Sequence, residues 1–499
     1  MLKNGDSLGG KLGQQIALVG LGIYVLCAPH SVAASAIGVG VAGFGWMLRT
    51  FSTRSLGLKR SKFDLIIMLS LLWTVASALL SEEPRISIAK LQASWCVFLF
   101  YLARATVTRN SALVLVLLLI FSSSVGALYS AFDLWRGRGV VVESIATGSP
   151  FQQVGVQPGD TIWRVDGRRV YSVEDIEREL SRAPLNTAFN VGILSRGEQI
   201  ERPLTVTQIS PAGVTGSEHN HRFRASGWTR HYETFAELLQ MIAQLALGLA
   251  LAHLIHHGAN KYFQFMIVAV SLLVMGLLLT AMRTVIIAFV IGAAVIAWRS
   301  LGGVLKVVIT FALFFVLAFG AVIVWQTRDQ NAIFFGDPSS SLRWQVARAG
   351  LERIPVHPIF GHGMDAMKLH WNEWGFPGKD MLHLHSTPLQ LAFDRGLPML
   401  AIWLWLMIAF WLSIARAERS LADRSDTHTY GLLLGTLGAL TGLLASSLVN
   451  YNYGDAEVAM LFWFLMGISH LLTKSRDQYS SLTGLQFAPV AILNRLTER

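Results

Sequence analysis

Long apolar runs separated by short polar connections fill most of this chain. Each run approaches the roughly 20 residues that a helix needs to cross the apolar core of a bilayer, and about twelve runs qualify. Two longer polar stretches, 134–234 and 327–386, interrupt the pattern. The pattern therefore predicts a mainly α, polytopic membrane protein with about twelve transmembrane helices. The predicted spans are 13–29, 31–48, 63–80, 91–107, 111–133, 235–256, 262–281, 284–299, 305–326, 387–414, 429–450 and 456–473.

The composition agrees with a protein that lies in a lipid bilayer. Hydrophobic residues make up 53% of the 499 residues and charged residues only 14%, whereas soluble domains carry about 25% charge. The net charge of +10 is concentrated in short loops between spans. That distribution reports orientation and does not call for a nucleic-acid partner. Cys27 and Cys96 both lie in apolar spans, so no disulfide or cysteine metal site is predicted.

Basic residues predict the orientation of the spans. The loop after the second span is rich in lysine and arginine, which places it in the cytoplasm. Counting from that loop puts both termini in the cytoplasm and both long polar stretches on the periplasmic side. The first apolar run leads into a second span, so we interpret it as a retained helix and not as a cleavable signal. The basic residues of this loop are Arg49, Arg54, Lys59, Arg60 and Lys62.

The first polar stretch has the pattern of a small folded domain. Short β-branched runs occur at Val140–Val142 and Phe189–Ile193, with turn signals between them and a predicted helix over Val173–Leu180. Residues 148–181, GSPFQQVGVQPGDTIWRVDGRRVYSVEDIERELS, resemble a PDZ domain of the bacterial envelope type. The resemblance covers 137–208. It implies a small α/β PDZ-like domain, 135–210, inserted in an outer loop.

A PDZ-like domain implies a possible protein partner. Such domains capture chain termini or extended strands by adding them to the edge of a sheet. The run Gly137, Arg138, Gly139 and Val140 is the candidate carboxylate-binding loop, although it matches that pattern only loosely. A spacer or steric lid that binds no peptide is the alternative interpretation.

The second polar stretch contains the residues that could carry chemistry. It begins with an amphipathic run, Ser341–Leu351, continues with the turn HPIFGHG at His357–Gly363, and ends at His385-Ser386. Nine residues then separate Ser386 from Gly396. This order resembles the O-antigen ligase and polymerase family of polytopic membrane glycosyltransferases. Met399 departs from the family pattern, because a small or polar residue is usual there.

Two further segments are similar to elements of that family. Thr280–Thr284, between two spans, corresponds to a serine-arginine-glycine element, and Arg222–His231 is similar to the entry into the next span. The resemblance divides the chain into six segments: 1–134 (spans 1–5), 135–210 (PDZ-like domain), 211–326 (spans 6–9), 327–386 (periplasmic catalytic loop), 387–475 (spans 10–12) and 476–499 (cytoplasmic tail).

The resemblance implies a glycan donor linked to polyprenyl diphosphate. A guanidinium stays charged and binds phosphate oxygens in bidentate fashion. Arg283 and Arg343 are therefore the candidates that stabilise the leaving diphosphate, and His385 is the candidate base for the acceptor hydroxyl. We expect inversion in a single displacement, without a metal or another cofactor. The candidate substrate-binding residues are Arg224, Arg230, His383 and His362.

Several alternatives remain at this stage. A ligase passes the glycan to a lipid A core, whereas a polymerase of the same family extends a growing polysaccharide such as O-antigen or exopolysaccharide. A lipid-linked sugar transporter should place charges within its spans, and these are sparse here. An intramembrane metalloprotease needs a His-Glu-x-x-His helix, which does not occur. The loop histidines match no standard zinc-ligand spacing, so no metal site is predicted. The predicted location is the bacterial inner membrane.

Overall fold

The computed structural model describes most of residues 8–473. The residues within that range that it does not describe are 184, 196–197, 207–210, 222, 230, 305, 309–310, 312–314, 316–317, 319–337, 379–382 and 422–425. The chain forms two compact units. Unit 2 consists of Gly126–Gly227 and Leu279–Ala281, and unit 1 contains the remaining residues.

Unit 1 is helical. Among the described residues, ten helical segments are long and apolar enough to cross a membrane. They agree with ten of the predicted spans, and the helix Ala456–Leu472, with 17 residues, corresponds to an eleventh. The predicted span 305–326 lies largely outside the described residues. The helices of unit 1 are α1 (Leu8–Cys27), α2 (Val32–Thr53), α3 (Lys62–Leu80), α4 (Pro84–Lys90), α5 (Phe98–Thr106), α6 (Arg109–Arg136, shared with unit 2), α9 (Tyr232–His257), α10 (Lys261–Leu279), α11 (Arg283–Ser300), α12 (Pro338–Arg353), α13 (Ala366–His370), α14 (Thr387–Ser420), α15 (Thr427–Ser447) and α16 (Ala456–Leu472).

Small residues allow the helices of unit 1 to pack closely. A Cβ on Gly20 of α1 would overlap the backbone of Ala42 in α2, and one on Gly38 would overlap the backbone of Tyr24. Glycines also allow α9 and α15 to approach closely, because a Cβ on Gly248 would overlap the backbone of Gly435. Close backbone approach is a major source of helix association in a bilayer. Lipid tails are as apolar as the helix surfaces, so the hydrophobic effect does not drive the helices together.

Unit 2 contains the PDZ-like fold. Its strands pair in the order β5-β4-β2-β1-β6, with β3 beside β2, and every recorded pairing is antiparallel. Val140, Ile162, Val191 and Ile176 contribute to its buried apolar core. The elements of unit 2 are β1 (Arg138–Ile145), α7 (Pro150–Gln153), β2 (Thr161–Val165), β3 (Arg168–Arg169), α8 (Val173–Arg182), β4 (Ala188–Ser195), β5 (Glu198–Thr205) and β6 (Val214–Asn220).

The last strand of this sheet lies beyond the predicted end of the domain. We expected the PDZ-like domain to end at 210, but β6 continues the sheet to Asn220. β6 pairs with β1 and also contacts α8. It therefore forms one edge of the sheet, next to a helix.

The structure contradicts the prediction of a carboxylate-binding loop at Gly137, Arg138, Gly139 and Val140. β1 is paired on both sides, by β2 and by β6, so it presents no edge to which a strand could be added. The side chain of Arg138 is 2% exposed and forms an ion pair with Asp133. A guanidinium already buried against a carboxylate is not available for a ligand.

Candidate functional site

The N-terminal ends of four helices meet in unit 1. Thr234 Oγ1 in α9 donates to Asp455 Oδ2, 2.7 Å away, immediately before α16. Asn450 Nδ2 donates to Thr284 Oγ1 in α11 at 3.2 Å. The carbonyl of Asn450 accepts from the backbone N–H of Thr387 in α14 at 3.0 Å. Helix N-termini carry partial positive charge, and three carboxyl groups, those of Glu233, Glu237 and Asp455, lie among these helix starts.

His385 lies at this junction, two residues before Thr387. Its φ of 51° is in the left-handed region, which side-chain-bearing residues rarely adopt and which clusters at functional sites. Its ring centroid is 4.6 Å from that of His383. Burial, with the charges of Arg343 and His383, lowers the pKa of His385 to about 3. The ring is therefore neutral near pH 7 and can accept a proton.

Arg343 reaches the junction from α12. Its Nη2 donates to Glu233 Oε1 in the first turn of α9, at 3.2 Å. Its Nε is buried and has no hydrogen-bond partner within the described part of the chain. The side chain is 26% exposed, so the guanidinium keeps donors for a further acceptor.

The other three predicted arginines do not share one place in the structure. Arg283 is the first residue of α11, next to Thr284, and makes no ion pair with any residue that the structure describes. Arg224 belongs to unit 2, and Arg230 lies outside the described residues. The junction thus gathers the elements that carry His385, Arg343 and Arg283.

A break in α14 explains the predicted glycine of the His385 segment. Gly396 has φ 80° and ψ 168°, which interrupts the helix. The interruption frees carbonyl groups that accept backbone bonds from the turn His357–Gly363. His362 N–H donates to Phe393 O at 2.8 Å, and Gly363 N–H donates to Asp394 O at 3.0 Å. A Cβ on Gly396 would overlap the carbonyl of Ile359, so only glycine allows this approach.

The structure does not support His362 as a substrate contact. Its side chain is fully buried, and both ring nitrogens are engaged, Nδ1 with Glu82 and Nε2 with the carbonyl of Arg353. His383 lies beside His385 and near Tyr451, whose ring centroid is 5.4 Å from that of His383. Burial lowers the pKa of His383.

Several junction residues escaped the sequence analysis. Asn450 connects three helices, yet an asparagine after an apolar span is typical of any helix end. Glu233 belongs to a predicted helix start, where acids are common. Asp455 occupies the N-cap position of α16 without a capping side-chain hydrogen bond, and burial raises its pKa to about 7. A polar residue at a span end carries no distinguishing signal until its partner is known.

These features define a polytopic membrane protein with a junction that bears arginine, histidine and carboxyl groups, and a separate PDZ-like unit. Residues 268–404 match the O-antigen ligase family, and residues 141–194 match the PDZ domain family. The chain therefore carries an O-antigen ligase domain together with a PDZ domain, as its motifs predicted.

Curated proteins are similar to short parts of the chain. The magnetosome formation protease MamE of Magnetospirillum gryphiswaldense is 34% identical over 85 residues, which are 17% of this chain and 11% of MamE. A probable periplasmic serine endoprotease DegP-like from Hahella chejuensis is 24% identical over 102 residues, 19% of this chain and 22% of that protein. A DegP-like endoprotease from Chlamydia trachomatis is 30% identical over 82 residues, 16% of each protein. The chain thus spans at most about a fifth of the length of these relatives.

Proposed function

We propose that this protein transfers a glycan from a polyprenyl-diphosphate donor to an acceptor hydroxyl on the periplasmic face of a bacterial inner membrane. The O-antigen ligase domain supports a membrane glycosyltransferase role. The observation that carries the proposal furthest is the junction at Asn450, which joins the start of α11, with Arg283, to the start of α14, behind His385.

In the proposed reaction, His385 accepts the proton of the acceptor hydroxyl as its oxygen attacks the anomeric carbon. The bond from that carbon to the diphosphate oxygen breaks, and polyprenyl diphosphate leaves with the electron pair. Attack from the opposite face inverts the anomeric centre. The low pKa of His385 makes it a weak base in the free protein. A bound diphosphate raises that pKa, because a nearby negative charge favours the imidazolium.

Arg343 and Arg283 stabilise the leaving diphosphate in this proposal. Arg343 is oriented by Glu233 and retains free donors, and Arg283 starts a helix whose N-terminus also favours anions. These fixed charges take the role that a divalent cation has in many glycosyltransferases, so we expect transfer without added magnesium or manganese. His383, beside His385, is proposed to contact the sugar or the diphosphate. Arg224 and Arg230 stay sequence-based candidates for substrate binding.

The acceptor distinguishes two versions of this function. The spacing from His385 to Gly396 favours a ligase that acts on a lipid A core. The inserted domain leans away from a standard ligase and favours a polymerase that extends a growing polysaccharide, whereas Met399 does not bear on this choice. Met399 is 3% exposed and packs in the core of unit 1, so its departure from the family pattern affects helix packing and not a group exposed to substrate.

We also propose a protein partner for the PDZ domain. The edge strand β6 lies next to α8, and an extended peptide could be added there as a further strand. This position replaces the run 137–140. Both termini are expected in the cytoplasm, with unit 2 and the loop 327–386 in the periplasm.

Surface-glycan analysis of a deletion strain complemented with single variants tests this function. We expect His385→Ala, Arg283→Ala and Arg343→Ala to lose the polymer product, while Arg348→Ala keeps it. Arg348 is a matched control, because it lies in α12 and, within the part of the chain that the structure describes, pairs only with the exposed Glu352. Loss of lipid A-linked polymer with intact free polymer indicates a ligase, and loss of polymer length indicates a polymerase. Normal glycans in the His385 variant would end the catalytic assignment.

A further inference from the structure

Three side chains with metal-binding groups converge where α3 ends. Glu82 lies between α3 and α4, and His357 and His362 lie in the turn that docks on the break in α14. One ligand atom from each lies within 4.8 Å of the others. Glu82 Oε2 is 2.6 Å from His362 Nδ1 and 3.5 Å from His357 Nε2. We name these three residues the Glu82 cluster.

The tautomer of His362 leaves Nδ1 facing the carboxylate. Nε2 lies 3.1 Å from the carbonyl of Arg353, and a carbonyl can only accept, so Nε2 carries hydrogen. In the neutral ring, the Nδ1 lone pair therefore faces Glu82 Oε2 at 2.6 Å, an arrangement that a proton or a cation must bridge.

The backbone around the cluster is fixed on two sides. His362 N–H donates to Phe393 O at 2.8 Å, and His362 O accepts from Glu83 N–H at 3.2 Å. A Cβ on Gly363 would crowd the hydroxyls of Ser81 and Ser87, so the turn rests directly on the end of α3 and on α4. A carbonyl that fixes the far nitrogen of a histidine is the usual outer support of a metal-binding imidazole.

We propose that the Glu82 cluster binds one zinc ion, with Glu82 Oε2, His357 Nε2 and His362 Nδ1 as ligands and water in the fourth position. Two imidazoles and one carboxylate are a ligand set typical of zinc. Tetrahedral ligands of zinc lie about 3.3 Å apart. His357 already lies near that distance from Glu82, and the Glu82 side chain, 33% exposed, can move outward from His362.

The ion would fasten the turn His357–Gly363 to the α3–α4 junction. It would take no part in the transfer step, because His362 is fully buried and offers its other nitrogen to a backbone carbonyl. The proposal therefore stands independently of the glycosyl transfer.

Zinc content of the full-length protein in lipid nanodiscs tests this site. After exposure to zinc chloride and removal of free metal, we expect about one zinc per chain by mass spectrometry. Competition with a chelating dye should show at least tenfold weaker binding in His357→Ala and in Glu82→Gln, in line with the roughly 10- to 100-fold losses seen even for outer partners of metal sites. His357 is 42% exposed, so its loss should not disturb the core.

His370→Ala is the matched control. His370 lies in the same loop and bonds to Glu83 at 2.8 Å and to Glu373 at 2.6 Å, but it is not part of the cluster. It should bind zinc as the wild type does, and zinc should raise the unfolding temperature of both proteins but not of His357→Ala. Absence of saturable binding in the wild type, or equal binding in His357→Ala, would overturn the site and identify a proton-bridged His362–Glu82 pair.

Discussion

Replacement of Gly396 by alanine should detach the site loop without touching a catalytic group. The backbone at Gly396, with φ 80° and ψ 168°, lies in a region that is essentially restricted to glycine, and other residues there cost about 1–3 kcal/mol. That strain alone shifts the docking equilibrium of the turn His357–Gly363 by roughly 5- to 150-fold. Overlap of the new Cβ with the carbonyl of Ile359 adds to it.

Hydrogen exchange and transfer rates measure this effect together. In Gly396→Ala we expect faster exchange at His362 and Gly363, whose amides bond to the carbonyls freed by the break. The transfer rate should fall in parallel. Gly40→Ala is the control, because a Cβ at Gly40 in α2 meets only open space. Wild-type exchange and transfer in Gly396→Ala would refute the docking of this turn on the break.

Three further predictions concern the site and the PDZ domain. The pKa of His385 is about 3 in the free protein, so the kcat/KM of the enzyme should show no acid limb from this group above about pH 5. Bound diphosphate stabilises the imidazolium, so the acid limb of kcat should lie at higher pH than that of kcat/KM. A His385 ring that titrates near pH 6.5 in the free protein, as followed by NMR, would contradict this pKa. Arg343→Lys keeps a charge but loses the planar donor pair, so transfer should fall roughly a hundredfold, while Arg348→Lys stays near wild type. Replacement of 138–220 by a short glycine-serine linker should leave basal transfer, measured as surface glycan, and change only regulation or localisation. Loss of all transfer by a correctly inserted deletion protein would contradict a merely regulatory domain.

The sequence predicted the membrane helices well because their signal is local. A bilayer requires about 20 apolar residues in a row, and that requirement is visible without knowledge of partners. The segment from His385 to Gly396 was also recognised from the sequence, but the structural reason for its glycine was not. Only the structure reveals that Gly396 is required by a turn more than thirty residues earlier in the chain.

Features that depend on distant partners could not be predicted. β6 reads VTGSEHN, which is polar and contains glycine, so it lacks the β-branched alternation of a strand. Pairing with β1 imposes its conformation. The Glu82 cluster joins residues separated by about 280 positions, and no spacing rule connects them. His362 was predicted to bind substrate, whereas its contacts with Phe393 and Trp374 bury it.

The break in helix α14 couples a predicted membrane span to the turn His357–Gly363 that docks on it. Backbone N–H groups of the loop donate hydrogen bonds to carbonyl groups at the break in the helix, and these bonds fix the conformation of the loop. Gly396 is the residue that this coupling requires, because a Cβ there would overlap the carbonyl of Ile359. A chimera that receives 357–363 from a relative should therefore work only in a chain that keeps glycine at 396.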